Sequence, residues 1–183
     1  MKQRARRGIV LILMALISGT ALADDSFSNR GNDPFFQISS GIAQCPIPLG
    51  PLETEQEWLG ESHHRIERGN SCWIEGRCRL FNGYLYDAEI ADTVQRRLRF
   101  IDTRISHWRD DSSLWLVLQR RLVFVQGCVS PDFDKAKFLF ELSQTADVDK
   151  VIDDTTTDPH APSLPYRTQA DPLKPPTDTE YLQ

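Results

Sequence analysis

The sequence has little of what a membrane-embedded or nucleic-acid-binding protein needs. After residue 23 no apolar run exceeds strand length, so nothing there approaches the roughly 20 residues of a spanning helix. Positive charge is short as well, with 21 Lys and Arg against 26 Asp and Glu. An acidic chain has no bulk attraction for nucleic acid, which excludes that class of partner. Catalytic signatures are missing too. There is no G-x-S-x-G nucleophile turn and neither a G-x-G-x-x-G nor a G-x4-G-K phosphate cradle. Glu55, Glu57 and Glu61 are carboxylates such as any acidic chain offers, and His63-His64 lies on a polar stretch read as solvated. No catalytic residue, metal or cofactor is expected.

What is present begins with a leader. Met1–Arg7 is basic, Gly8–Ile17 is apolar, and Ser18–Ala23 ends in Ala-Leu-Ala. A positive n-region, a short apolar h-region and an A-x-A end are the parts of a secretory signal, predicting cleavage after Ala23. The apolar stretch is too short for a membrane anchor, and no cysteine follows the small residues as a lipoprotein would require. Lys2, Arg4, Arg6 and Arg7 leave with the leader, so 17 basic residues face 26 acidic ones and the mature chain carries −9. The leader has a bacterial look, which places the expected destination in the periplasm.

Four cysteines, Cys45, Cys72, Cys78 and Cys128, form an even set bound for an oxidising compartment, which favours two disulfides. Three pairings are open. The preferred one closes a local loop with Cys72–Cys78 and ties the N-terminal segment to the later core with Cys45–Cys128. A zinc site built from Cys72 and Cys78 with His63 and His64 misses the usual C-x2-4-C spacing.

The mature chain divides at changes of character. Residues 24–86 read as a cysteine-containing extension. It starts with a polar, mobile stretch (24–40) that docks only near Phe35-Phe36. Pro46, Pro48 and Pro51 then keep the chain extended. A short helix from Glu53 to about Arg65, a stapled turn or small hairpin over Ser71–Cys78, and a tight turn at Asn82-Gly83 follow. Residues 87–155 carry the strongest periodicity. Asp87 reads as an N-cap, and Ile90, Val94, Leu98 and Ile101 make one apolar helical stripe. Ser113–Leu118 and Leu122–Val129, parted by a polar break, read as a hairpin. Ser130-Pro131-Asp132 opens a second helix packing through Phe133, Ala136, Phe140 and either Leu139 or Ser143. Val148–Ile152 closes the set as a strand. The expected fold is α+β, a two-layer sandwich with a small three-stranded mixed sheet on two helices in the order αββαβ. Residues 156–183, holding six of the eleven prolines, read as an extended, mostly disordered tail.

The stretch from Asp87-Ala88-Glu89-Ile90 to Val151-Ile152-Asp153-Asp154 resembles the BON domain family. The likeness lies in the capped helix with Ile90, Val94 and Leu98, the strand ending Val125-Gln126-Gly127-Cys128-Val129, and the helix carrying Lys135-Ala136. The closing phrase Ala146-Asp147-Val148-Asp149-Lys150-Val151-Ile152 has Asp147 where the family usually has glycine. Arg120-Arg121 stands where the family's hairpin glycine would be. The resemblance covers 69 residues in a single copy and implies a non-enzymatic envelope module that contacts phospholipid surfaces or other envelope components. The alternative is a structural or assembly subunit of an envelope or secretion complex.

Lipid recognition needs cations beside an aromatic foot. The candidates are Arg96, Arg97 and Arg99 on the first helix, Arg104, His107, Trp108 and Arg109 in the loop after it, and Arg120 and Arg121 at the hairpin tip. They must form a local patch, because residues 87–155 hold 10 basic and 13 acidic side chains. The expected partner is an anionic phospholipid or an envelope protein.

Overall fold

The computed structural model describes residues 26–65 and 71–177. The leader, with the expected cut after Ala23, and the end of the tail lie outside the described residues. Within them the chain is α+β, built on a four-stranded mixed sheet. Its order is β1 (Phe35–Gln37), α1 (Glu55–Arg65), α2 (Ser71–Ile74), a 3-10 turn (Gly83–Tyr86), α3 (Asp87–Ile101), β2 (Ser112–Gln119), β3 (Leu122–Val129), α4 (Lys135–Ser143) and β4 (Lys150–Thr156). The expected order of helix, hairpin, helix and strand is there as α3–β2–β3–α4–β4. The three-stranded sheet is corrected to four strands, because Phe35-Phe36 pairs with β2 as an antiparallel edge. β2 and β3 are antiparallel, and β4 joins β3 in parallel.

The α3 stripe lies where its period put it: Ile90, Val94, Leu98 and Ile101 are all buried on the sheet. They meet Leu114, Leu116 and Leu118 of β2 and Val123 and Val125 of β3. α4 adds Phe138 and Leu142 to this core, which corrects the expected face in part, since Leu139 does pack against it. Ala136, Phe140 and Ser143 are exposed. The helix starts four residues after Pro131 because Asp134 caps it, accepting the Lys137 amide at 3.2 Å. The later start leaves Phe133 before the helix, packed only against the edge of the core.

Residues 24–40 do not form a mobile start within the described range. Ser28 bridges Glu53, and buried Asp33 accepts two bonds from Arg65, at 2.9 and 2.7 Å. Thr54 and Glu57 make a reciprocal capping box at the start of α1, with Thr54 N–H to Glu57 at 2.8 Å and Glu57 N–H to Thr54 at 3.2 Å. Ser71–Cys78 is a helical turn rather than a hairpin. Asn82-Gly83 opens the 3-10 turn, Asn82 accepting from the Tyr84 amide at 2.9 Å.

Every residue from Ser112 to Leu118 is buried, on both faces of the sheet. Trp115, Val117 and Cys128 point away from the helices, so a third layer must cover them and the two-layer expectation is incomplete. The cover is irregular chain from both ends. Cys45 is bonded to Cys128, and the Leu49 amide donates to the Arg167 carbonyl at 2.7 Å. The Tyr166 hydroxyl donates to the Pro46 carbonyl at 3.1 Å. Tyr166 is 3% exposed, and Pro48 bridges Thr168. The tail through residue 177 is irregular and extended, and it is anchored on the sheet at Tyr166 and Thr168 while Leu173 stays 78% exposed. Prolines remove helix and ladder bonds without preventing burial of a ring.

Both disulfides follow the preferred pairing, Cys45–Cys128 and Cys72–Cys78. Two closed bonds fit an oxidising, extracytoplasmic compartment. Among the described residues, no helix is long and apolar enough to cross a membrane.

Candidate functional site

The arginines read from the sequence separate into two groups near opposite ends of α3, which is about 22 Å long at 1.5 Å per residue. The group toward its C-terminal end is largely occupied in holding the fold. Arg97 donates to the Glu141 carboxylate at 2.5 Å and to the Glu141 carbonyl at 2.8 Å, and Arg104 reaches the other carboxylate oxygen at 2.9 Å. Glu141 is buried, so these contacts clamp α4 to α3. Trp108 is 2% exposed and packs on Phe138 with ring centroids 4.9 Å apart. It is a core residue, not an aromatic foot. Its indole N–H donates to Asp102 at 2.8 Å, and Arg109 pairs with the same carboxylate at 2.9 Å while lying over the indole. Burial pushes the Asp102 carboxyl up, but the bonds from Arg109 and Trp108 outweigh it and hold the group below its usual range. His107 is exposed beside Asp110. Arg96 donates to Thr93 at 2.9 Å, and Arg99 is exposed on the last turn of α3.

The second group stands at the hairpin tip. Arg120 and Arg121 both have positive φ, 54° and 68°, as a two-residue turn between right-twisted strands requires. Glycine and asparagine usually fill such positions. Here the Asp87 carboxylate accepts the Arg120 amide at 2.9 Å and the Arg121 amide at 2.8 Å. Asp87 thus braces the hairpin, which corrects its expected role as the cap of α3. Burial pushes its carboxyl up to about 6, against the two amides that favour the charged form.

Beside this tip lies the turn closed by Cys72–Cys78. Arg121 donates from Nε to the Asp147 carbonyl at 2.8 Å and places Nη1 at 3.3 Å from Cys72 Sγ and 3.2 Å from Cys78 Sγ. The space between turn and hairpin is a cleft of about 170 Å³. Arg77, Arg120, Arg121 and Asp149 line it, together with Ser71 and Tyr84. Arg77 also pairs with Glu75 at 2.6 Å on the open surface, and Arg79 pairs with Glu89. Exposed pairs of this kind contribute about 0–1 kcal/mol and exchange readily for another anion.

The same turn projects apolar side chains into solvent. Trp73 is 47% exposed and Ile74 71%, while Phe81, three residues beyond the loop, is 51% exposed and meets Trp73 edge-on at 6.4 Å. A loop with five residues between its cysteines has no interior in which to bury a Trp-Ile pair. That is the signal in the sequence that could have singled them out. No family model, curated protein or solved structure matches the chain.

Proposed function

We propose that this chain is a non-enzymatic periplasmic module of BON type that docks on anionic phospholipid surfaces. The docking end is the stapled turn together with the β2–β3 tip. One juxtaposition carries the reading: exposed Trp73 and Ile74 on a covalently closed turn, with Phe81 just beyond it, stand beside a cleft lined by three arginines and one aspartate. Aromatic and aliphatic groups enter the headgroup boundary for about 25 cal/mol per Å² of apolar area withdrawn from water. Each nearby cation adds about 1 kcal/mol at an anionic surface. The staple fixes the turn beforehand, which lowers the entropic cost of binding.

The test is flotation of the oxidised mature protein with phosphatidylglycerol vesicles and with phosphatidylcholine vesicles at low salt. Binding to the anionic vesicles alone is expected. Trp73→Ala with Phe81→Ala should weaken it at least tenfold, and Arg77→Gln with Arg120→Gln should weaken it and flatten its salt dependence. Equal partition into both vesicle types, or none into either, overturns the proposal. A second reading, an assembly subunit, is favoured by a different surface: Phe100 and Phe140, on α3 and α4, are 44% and 61% exposed. Concentration-dependent self-association abolished by Phe140→Ser, together with no vesicle binding, would select it.

A further inference from the structure

The two disulfides occupy different electrostatic settings. Cys128 is fully buried on the covered face of the sheet. The Cys45 and Cys128 sulfurs lie 3.8 and 4.0 Å from the neutral Tyr166 hydroxyl, and Cys45 is 3.7 Å from the Ser113 carbonyl. Cys72–Cys78 instead lies against a guanidinium held in place from three sides. Arg121 is fixed by its own turn geometry, by its bond to the Asp147 carbonyl, and by the Tyr86 ring 5.2 Å beneath it. One of its nitrogens touches both sulfurs. A fixed cation beside a sulfur favours the thiolate, and a thiolate that is a better leaving group makes its disulfide easier to reduce.

We propose that Cys72–Cys78 is a thiol-exchanging site, opened and reclosed by an external dithiol, while Cys45–Cys128 is a permanent structural bond. Cys78 is the less buried of the exchanging pair and is the sulfur attacked. The thiolate of the dithiol bonds to Cys78 Sγ, the Cys72–Cys78 bond breaks, and Cys72 leaves as a thiolate against Arg121. The second thiol of the reductant, after losing its proton, attacks its partner sulfur in the mixed disulfide and expels Cys78. Two electrons pass to the cysteine pair and the reductant ends as a disulfide. Its two protons go to Cys78 and, through solvent, to Cys72. Trp73 and Ile74 lie between the two cysteines, so opening the bond frees the docking turn. That last step rests on the lipid reading, whereas the exchange does not.

The experiment equilibrates the oxidised mature protein in mixtures of reduced and oxidised dithiothreitol. The samples are quenched with acid and alkylated, and each cysteine pair is then quantified by peptide mass spectrometry. Cys72–Cys78 should open at a reductant ratio at least tenfold lower than Cys45–Cys128, equivalent to about 30 mV for a two-electron couple. Arg121→Gln should raise the ratio needed for Cys72–Cys78 about tenfold and leave Cys45–Cys128 unmoved, which also reports that the body has folded. Arg121→Lys, keeping a charge, should recover part of the shift. Simultaneous opening of the two bonds, opening in the reverse order, or no response to Arg121→Gln overturns the proposal. Flotation of the partly reduced protein on phosphatidylglycerol vesicles separates the two ideas. Loss of binding on opening ties exchange to docking, whereas exchange by a protein that never bound vesicles overturns the lipid reading alone.

Discussion

At the scale of single residues, two buried carboxylates, Asp87 and Glu141, and the exposed Asp102 hold more of this structure than their number suggests. Asp87 has its ionisation raised to about 6 in the folded protein by burial, above the 3.8 of an unperturbed aspartate. The folded state therefore holds a proton that the unfolded chain has released between those values. Through this group, stability falls as pH rises from about 4 to 6 and then levels. Asp102 acts in the opposite sense: its carboxyl is held low, so its contribution is present above the unfolded value and is lost on acidification below about pH 4. Chemical denaturation across pH 3–7 should show the Asp87 slope vanish in Asp87→Asn, with the low-pH loss retained. Glu141 is the second clamp. Glu141→Gln weakens its pairs with Arg97 and Arg104 and should destabilise by about 3 kcal/mol, the low end for a broken buried ion pair, because both arginines reach solvent. The urea midpoint measures this directly.

Elements were legible in the sequence where a period was carried by many residues, and illegible where one distant contact decided. α3 could be read because four aliphatic residues repeat on one stripe, and β2 because its apolar run is unbroken. α4 was read out of phase: Phe133 and Phe140 are the conspicuous aromatics, yet Trp108, contributed by a distant loop, selects Phe138 as the inward ring. The hairpin tip was opaque for a similar reason. Two arginines at positive φ make sense only with a carboxylate 33 and 34 residues earlier in the chain. Gly127, by contrast, is dictated locally. Its φ is 131°, and a Cβ there would stand 2.1 Å from the Ser113 carbonyl oxygen. Gly127→Ala should cost at least about 2 kcal/mol through backbone strain and a spread β2–β3 ladder, read as a fall in Tm. Of the candidate site, Arg120 and Arg121 were found by charge. Trp73, Ile74 and Phe81 were not, since a tryptophan in a sequence is ordinarily assigned to a core.

At the scale of the whole molecule, the sheet is closed on one side by helices and on the other by a strap from both ends of the chain. Composition made the proline-rich segment look solvated, because it counts missing backbone donors and not the places where a ring is buried. Truncation after residue 157 should uncover the Cys45–Cys128 bond on which Tyr166 lies. The shortened protein should bind a hydrophobic dye and lose roughly 3–5 kcal/mol, as expected for withdrawing one buried aromatic and its neighbours. Tyr166→Phe is a milder probe. It removes the bond to the Pro46 carbonyl but keeps the ring, and should cost about 1 kcal/mol.

The strap also imposes a schedule on biogenesis. Cys45 emerges early, Cys128 arrives 83 residues later, and the tyrosine that roofs their bond follows after a further 38. Once that roof is down, Cys128 is sealed and an oxidase reaches the pair only through the partly buried Cys45. A polypeptide that closes before it is oxidised therefore keeps a single point of attack, Cys45, with Cys128 waiting behind it to complete the bond.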